Sequence, residues 1–166
     1  KLVDMVKIHN IDVLHVHYAI PHAYAAYMAK KMLHEEGINV PIVTTLHGTD
    51  VTLVGSHPFY KTAVTFSINK SDAVTSVSQN LKKVTQRLFN TQKEIKVVPN
   101  FIDLEKYKTT YTDCDRDLLA RPEERVITHV SNFRPVKRIA DVIEIFYKIQ
   151  NELPAKLMMV GEGPCK

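Results

Sequence analysis

Two imidazoles one residue apart, His15 and His17, stand in an apolar run at residues 12–17 (DVLHVH). Side chains repeat every two residues along a strand, so both rings project from one face. With His22 nearby, that spacing suits zinc or another divalent ion and a metal-dependent hydrolase. Against that reading, no ordered set of carboxylates follows at strand ends, and Asp50 is the only candidate. In His47-Gly-Thr-Asp50, Gly48 permits a tight turn, and His47 can exchange a proton, hydrogen-bond a hydroxyl, or serve structure alone. Residues 132–138 (NFRPVKR) link a strand to a helix, whose first N–H groups and dipole favour an anion. Lys137 and Arg134 could add direct charge to a bound diphosphate, although a solvated basic loop would read the same. The stretch matches neither GxGxxG nor GxxxxGK[ST], so neither a nicotinamide-dinucleotide fingerprint nor a P-loop is supported. Residues 161–164 (GEGP) form a turn that can bring backbone close to a ligand, with Gly161 and Glu162 as its contacts.

The elements that must position these residues alternate. Strands are expected at 12–17, 41–46, 73–77, 95–98, 125–131 and 156–160, where Val, Ile and Thr dominate. Between them lie helical patterns: one opens at Pro21 and closes at Gly37, one spans 58–69, one starts after a capping Ser78 and ends near Phe89. In the last, at 139–151, Ile139, Val142, Ile143, Phe146 and Ile149 recur at helical spacing. Residues 103–124 are irregular, with one short helical pattern at 115–120. The fold class is therefore α/β, with parallel sheets covered by helices on both faces. Ligands of such sheets bind beyond the carboxyl ends of the strands, where the polar clusters stand.

The chain has 166 residues, 45% hydrophobic and 24% charged, enough to bury a sizeable core in one or two domains. Its net charge of +4 is spread among acidic residues, and no basic run interleaves with aromatics, so no nucleic-acid partner is expected. Cys114 and Cys165 lack a CxxC partner, which points away from zinc or a disulfide framework and toward a reducing, cytoplasmic setting. No stretch approaches the apolar length of a membrane span. Oligomeric state is left open, a homo-oligomer included. Residues 1–9 read as the later turns of a helix and residues 160–166 stop after a strand, so the chain is expected to be an internal fragment.

Five segments, HVHYAIPHA (15–23), VTTLHGTDVTLVG (43–55), VVPNFID (97–103), HVSNFRPVKR (129–138) and LMMVGEGP (157–164), resemble family 4 retaining glycosyltransferases in content and order. The resemblance covers essentially the whole chain. It implies a GT-B fold of two Rossmann-like domains facing across a cleft, with residues 1–103 from the acceptor-side domain, 104–124 connecting, and 125–166 opening the nucleotide-sugar domain. Within the family, HYAIPHA, TTLHGTD and SNFRPVKR are similar to a branch that joins N-acetylglucosamine, from UDP-GlcNAc, to the hydroxyl of L-malate in the first step of bacillithiol biosynthesis. Carried over by position, Lys137 neutralises the donor diphosphate, and Asn132 takes the branch's asparagine where the wider family has arginine, with Arg134 as an extra cation. His47 lies beside the transferred sugar, and Tyr18 and Thr45 hold malate. No metal or other cofactor is implied. A family 4 enzyme with a lipid, inositol phosphate or glycan acceptor, and a non-catalytic nucleotide-binding module, remain alternatives. The family's glycine-rich first loop and acidic E-x7-E segment match nothing here, so the isolated chain is expected to be inactive.

Overall fold

A computed structural model describes residues 1–55, 57–108 and 116–166. Cys114 and Asp115, the expected start of the short helix, lie outside the described residues. The chain divides into two compact units, Lys1–Asp103 and Leu104–Lys166.

The first unit runs α1 (Leu2–His9), β1 (Leu14–His17), α2 (Tyr24–Glu35), β2 (Ile42–Leu46), α3 (Pro58–Lys70), β3 (Ala73–Ser76), α4 (Gln79–Phe89) and β4 (Ile95–Val97). Its four strands are parallel and stand in chain order. The helix expected from Pro21 instead opens with a wide turn, Ala19–Ala23, inside which Ile20 is extended (φ −132, ψ 142). Steric conflict with the proline ring keeps the preceding residue out of helical conformation, so the regular helix waits until Tyr24. Local signals act elsewhere as anticipated. Ser78 Oγ accepts from the Leu81 N–H at 3.1 Å and caps α4, and Gly37 after α2 has φ +79.

Strand alternation sorts this sheet into two unlike faces. Leu14, Ile42, Leu46, Val74 and Ile95 point into the helices, packing with Val6, Leu33, Val64, Ile68 and Phe89, all buried. Each such side chain contributes about 1.5–3 kcal/mol when fully removed from water. The alternate residues His15, His17, Val43, Thr45 and Thr75 stand on the other face, where His15 and His17 are exposed. Among the described residues no helix covers this second face, contrary to the expected two-sided cover. The reason lies in topology: four parallel strands standing in chain order and joined by right-handed crossovers place every crossover helix on the same face. Asp72, between α3 and β3, ties the layers by accepting from Ile42 N–H at 2.6 Å and pairing with Lys30 at 2.6 Å. Desolvation opposes its ionisation, but the hydrogen bonds from Lys30 and Ile42 and the charges of Lys30 and Lys93 together outweigh it. They hold its carboxyl below the ordinary value of 3.8.

The second unit contains α5 (Arg116–Leu119), β5 (Arg125–Val130), α6 (Ile139–Gln150) and β6 (Ala155–Val160). β5 and β6 are parallel, in register from Arg125 opposite Ala155 to Val130 opposite Val160. Ile139 is buried and Val142, Phe146 and Ile149 are half-buried, whereas Ile143 remains 52% exposed. A two-stranded sheet is narrower than the apolar stripe of α6, which leaves that edge of the helix uncovered among the described residues.

Candidate functional site

The exposed face of the first sheet carries a cavity of about 350 Å³, lined by His15, His17, Val43, Thr45, His47, Thr75, Val98, Pro99, Asn100 and Phe101. Its polar wall is a hydrogen-bonded row. His15 Nε2 lies 2.8 Å from Thr45 Oγ1, which lies 2.7 Å from Thr75 Oγ1. The parallel register sets Thr45 opposite Thr75, so the two hydroxyls meet across the strands. A threonine hydroxyl has one proton and two lone pairs, so two bonds leave Thr45 a single further position for a ligand.

At the carboxyl ends of β1 and β2 the rings gather. His17 Nδ1 is 2.7 Å from His47 Nε2. Such a bond needs one N–H and one lone pair, so one of these nitrogens is protonated and its partner is not. Tyr18 stacks obliquely on His47 with centroids 5.2 Å apart, and the Tyr18 N–H donates to Thr45 O at 2.9 Å. His22 Nδ1 donates to His17 O at 2.6 Å, fixing its tautomer. Asp50 is 2% exposed, and accepts from the Ala19 N–H at 3.0 Å, the Gly48 N–H at 3.0 Å and the His47 N–H at 3.3 Å. Among the described residues no group of three or more His, Cys, Asp or Glu side chains is arranged to hold a metal ion. The pairing of His15 with Thr45 and of His17 with His47 accounts for the polar bonds these rings make.

In the second unit the two strand-end loops interlock. Phe133 N–H donates to Glu162 O at 2.9 Å, Cys165 N–H to Phe133 O at 3.0 Å, and Ser131 N–H to Val160 O at 3.1 Å. Gly161 (φ +148) fits because it has no side chain, for a Cβ there would stand 1.8 Å from Ser131 O. Phe133 is buried beneath this junction, while Asn132, Arg134 and Lys137 are exposed. Lys137 ends a short 3-10 turn, Pro135–Lys137, two residues ahead of α6. Arg138 pairs with Asp141 and Glu162 with Lys166, whereas among the described residues Lys137 and Arg134 form no ion pair. Lys137 therefore stands exposed just ahead of the α6 N-terminus, with Arg134 in the same loop, an arrangement suited to an anion.

The structure thus brings Tyr18, Thr45 and His47 together in the first unit, and Asn132, Arg134, Lys137, Gly161 and Glu162 onto one pair of loops in the second. Reading the sequence missed Thr75, the His17–His47 bond and the role of Asp50 as a backbone acceptor. Thr75 falls in the alternating run AVTSV (73–77), but which face turns outward depends, like the His17–His47 bond and the reach of Asp50 to Ala19, on strand register that spacing alone does not encode.

The model of Glycosyltransferase Family 4 matches residues 1–106. The chain belongs to that family. It is 46% identical over 165 residues to N-acetyl-alpha-D-glucosaminyl L-malate synthase of Bacillus anthracis, covering 99% of this chain and 42% of that protein. It is 26% identical over 162 residues to a protein named as a teichuronic acid biosynthesis glycosyltransferase, TuaC, of Bacillus subtilis (strain 168), covering 93% of this chain and 39% of that one. The chain therefore spans about two fifths of the length of these curated relatives. Among the described residues of this family 4 chain, no helix is long and apolar enough to cross a membrane.

Proposed function

We propose that the full-length protein is a retaining glycosyltransferase that moves N-acetylglucosamine from UDP-GlcNAc to the hydroxyl of L-malate, the first step of bacillithiol biosynthesis. The observation that carries this reading is the polar wall of His15, Thr45 and His47 beside Tyr18, on a cavity of about 350 Å³ at the carboxyl end of the first sheet. One wall of that space offers hydroxyl and imidazole groups to the oxygens of a small acceptor, while Val43, Val98, Pro99 and Phe101 close the other side. The 46% identity to a relative named for malate supports the same choice.

In this reading Tyr18 and Thr45 hold malate and His47 lies beside the transferred sugar. Breaking the sugar–phosphate bond builds negative charge on departing UDP and positive charge at the anomeric carbon. Lys137, with the first N–H groups of α6, offsets the charge on the diphosphate, and Arg134 and Asn132 flank it. Gly161 and Glu162 supply the adjoining turn; the Glu162 carboxylate pairs with Lys166, so its contribution comes through backbone. Cations fixed where charge develops stabilise the transition state more than the ground state, each worth about 2–4 kcal/mol.

An acceptor panel tests the proposal. Full-length enzyme is supplied with UDP-GlcNAc and, in turn, L-malate, an inositol phosphate, a lipid acceptor and a glycan, and UDP release is followed. L-malate should be the acceptor that drives release; a stronger response to any other replaces the malate reading with a different family 4 activity.

A further inference from the structure

Asp50 has no task in the reaction just described, yet it is among the most buried polar side chains of the first unit, at 2% exposure. Its two carboxylate oxygens reach across adjacent strands. Oδ2 accepts from the N–H of Ala19, the residue after Tyr18, while Oδ1 accepts from the N–H groups of His47 and Gly48. One side chain thereby fixes both loops that present the proposed acceptor and sugar contacts.

The backbone at these loops needs such a restraint. Tyr18, unlike Gly48 (φ 116), which has no Cβ to conflict, holds φ 75 and ψ 135, a conformation sparsely populated by residues with a Cβ. Conformations of this kind persist only where surrounding bonds over-determine them. A carboxylate suits the position because it only accepts, and the three groups facing it only donate. An isosteric amide would keep one oxygen but turn an NH₂ group toward a backbone N–H.

We propose that Asp50 is a positioning residue that sets the orientation of Tyr18 against His47, and through them the acceptor geometry; as a statement about catalysis this rests on the reading above. A small displacement of a contact group can cost up to about a hundredfold in rate. Donor binding, assigned to loops of the second unit, should be insensitive to it.

Asp50→Asn and Asp50→Ala in the full-length enzyme test the idea. Steady-state kinetics with UDP-GlcNAc and L-malate, calorimetric binding of UDP, and imidazole NMR spectra are compared with the unaltered protein. Asp50→Asn should lower kcat by about tenfold and raise the malate KM by about fivefold, with the UDP Kd changed by less than about twofold. The imidazole signals of His17 and His47 should shift while that of His129 stays. Unchanged kcat and KM would overturn the proposal, as would a loss of UDP binding, malate use and thermal stability in equal proportion, the mark of mere structural damage. If Asp50→Ala does not fold, Asp50→Asn decides. If the unaltered enzyme does not use malate, the substrate reading falls by itself and the imidazole spectra decide for Asp50: shifted His17 and His47 signals uphold the positioning role, unmoved ones overturn it.

Discussion

Gly161→Ala probes the interlocked loops of the second unit with a single methyl group. A Cβ at this position would stand 1.8 Å from Ser131 O, 3.0 Å from Ser131 C and 3.1 Å from the Phe133 ring. Comfortable contact requires about 3.5 Å, so the Ser131 carbonyl must retreat by roughly 1.7 Å or the turn must open. Either movement strains the bond from Ser131 N–H to Val160 O, 3.1 Å long, which holds the carboxyl ends of β5 and β6 together. Backbone strain at φ +148 costs about 1–3 kcal/mol and overpacking a further 1–3 kcal/mol, for a total of about 2–6 kcal/mol. Gly37→Ala is the control: its φ is +79 and nothing lies within 4 Å, so the cost there is about 1–2 kcal/mol of backbone conformation alone. Native-state hydrogen exchange of the full-length protein reads the local effect. The Ser131 amide should exchange at least about thirtyfold faster in Gly161→Ala, with UDP binding weakened as the loops shift. Protection of Ser131 equal to that in the unaltered protein would refute the steric reasoning.

Lys137→Ala in the full-length enzyme should cut turnover at least about tenfold, since a fixed charge on the departing diphosphate is lost; unchanged turnover removes the phosphate role from this lysine. Tyr18→Phe should raise the malate KM while leaving UDP affinity unaltered, and an equal loss on both sides would count against an acceptor contact. Asp72→Asn should lower stability at pH 7 by less than about 1 kcal/mol, because the Lys30 pair is partly exposed. The folded carboxyl titrates below its ordinary 3.8, so its contribution is present above that value and fades as pH falls through the lower folded value; urea unfolding should show the gap closing in strong acid.

Much of the fold was written in local signals. The Ser78 cap, Gly37 after α2, and the β-branched runs marked elements to within a few residues, because each depends on its neighbours in the chain. The open face of the first sheet was less legible. Thr44 sits on the inward side, wholly buried and bonded to Ser71 Oγ at 2.7 Å, while Thr45 next to it faces the cavity. A run such as VTT does not reveal which threonine turns inward until the register is known. The site divided the same way. Tyr18, His47 and Lys137 stood out by type and by position after strands. Asp50 looked like the only carboxylate for a metal and proved to be a backbone acceptor, a role fixed by Ala19, 31 residues earlier. Asn100 and Phe101, which follow β4 and carried no assigned role in the sequence, line the cavity.

The linkage formed by the full-length enzyme is the most direct measure of the account. Incubated with UDP-GlcNAc and L-malate, it should yield UDP and one new glycoside, whose NMR spectrum places N-acetylglucosamine on the malate hydroxyl in the α configuration. A β linkage, or sugar transferred to no part of malate, would contradict it.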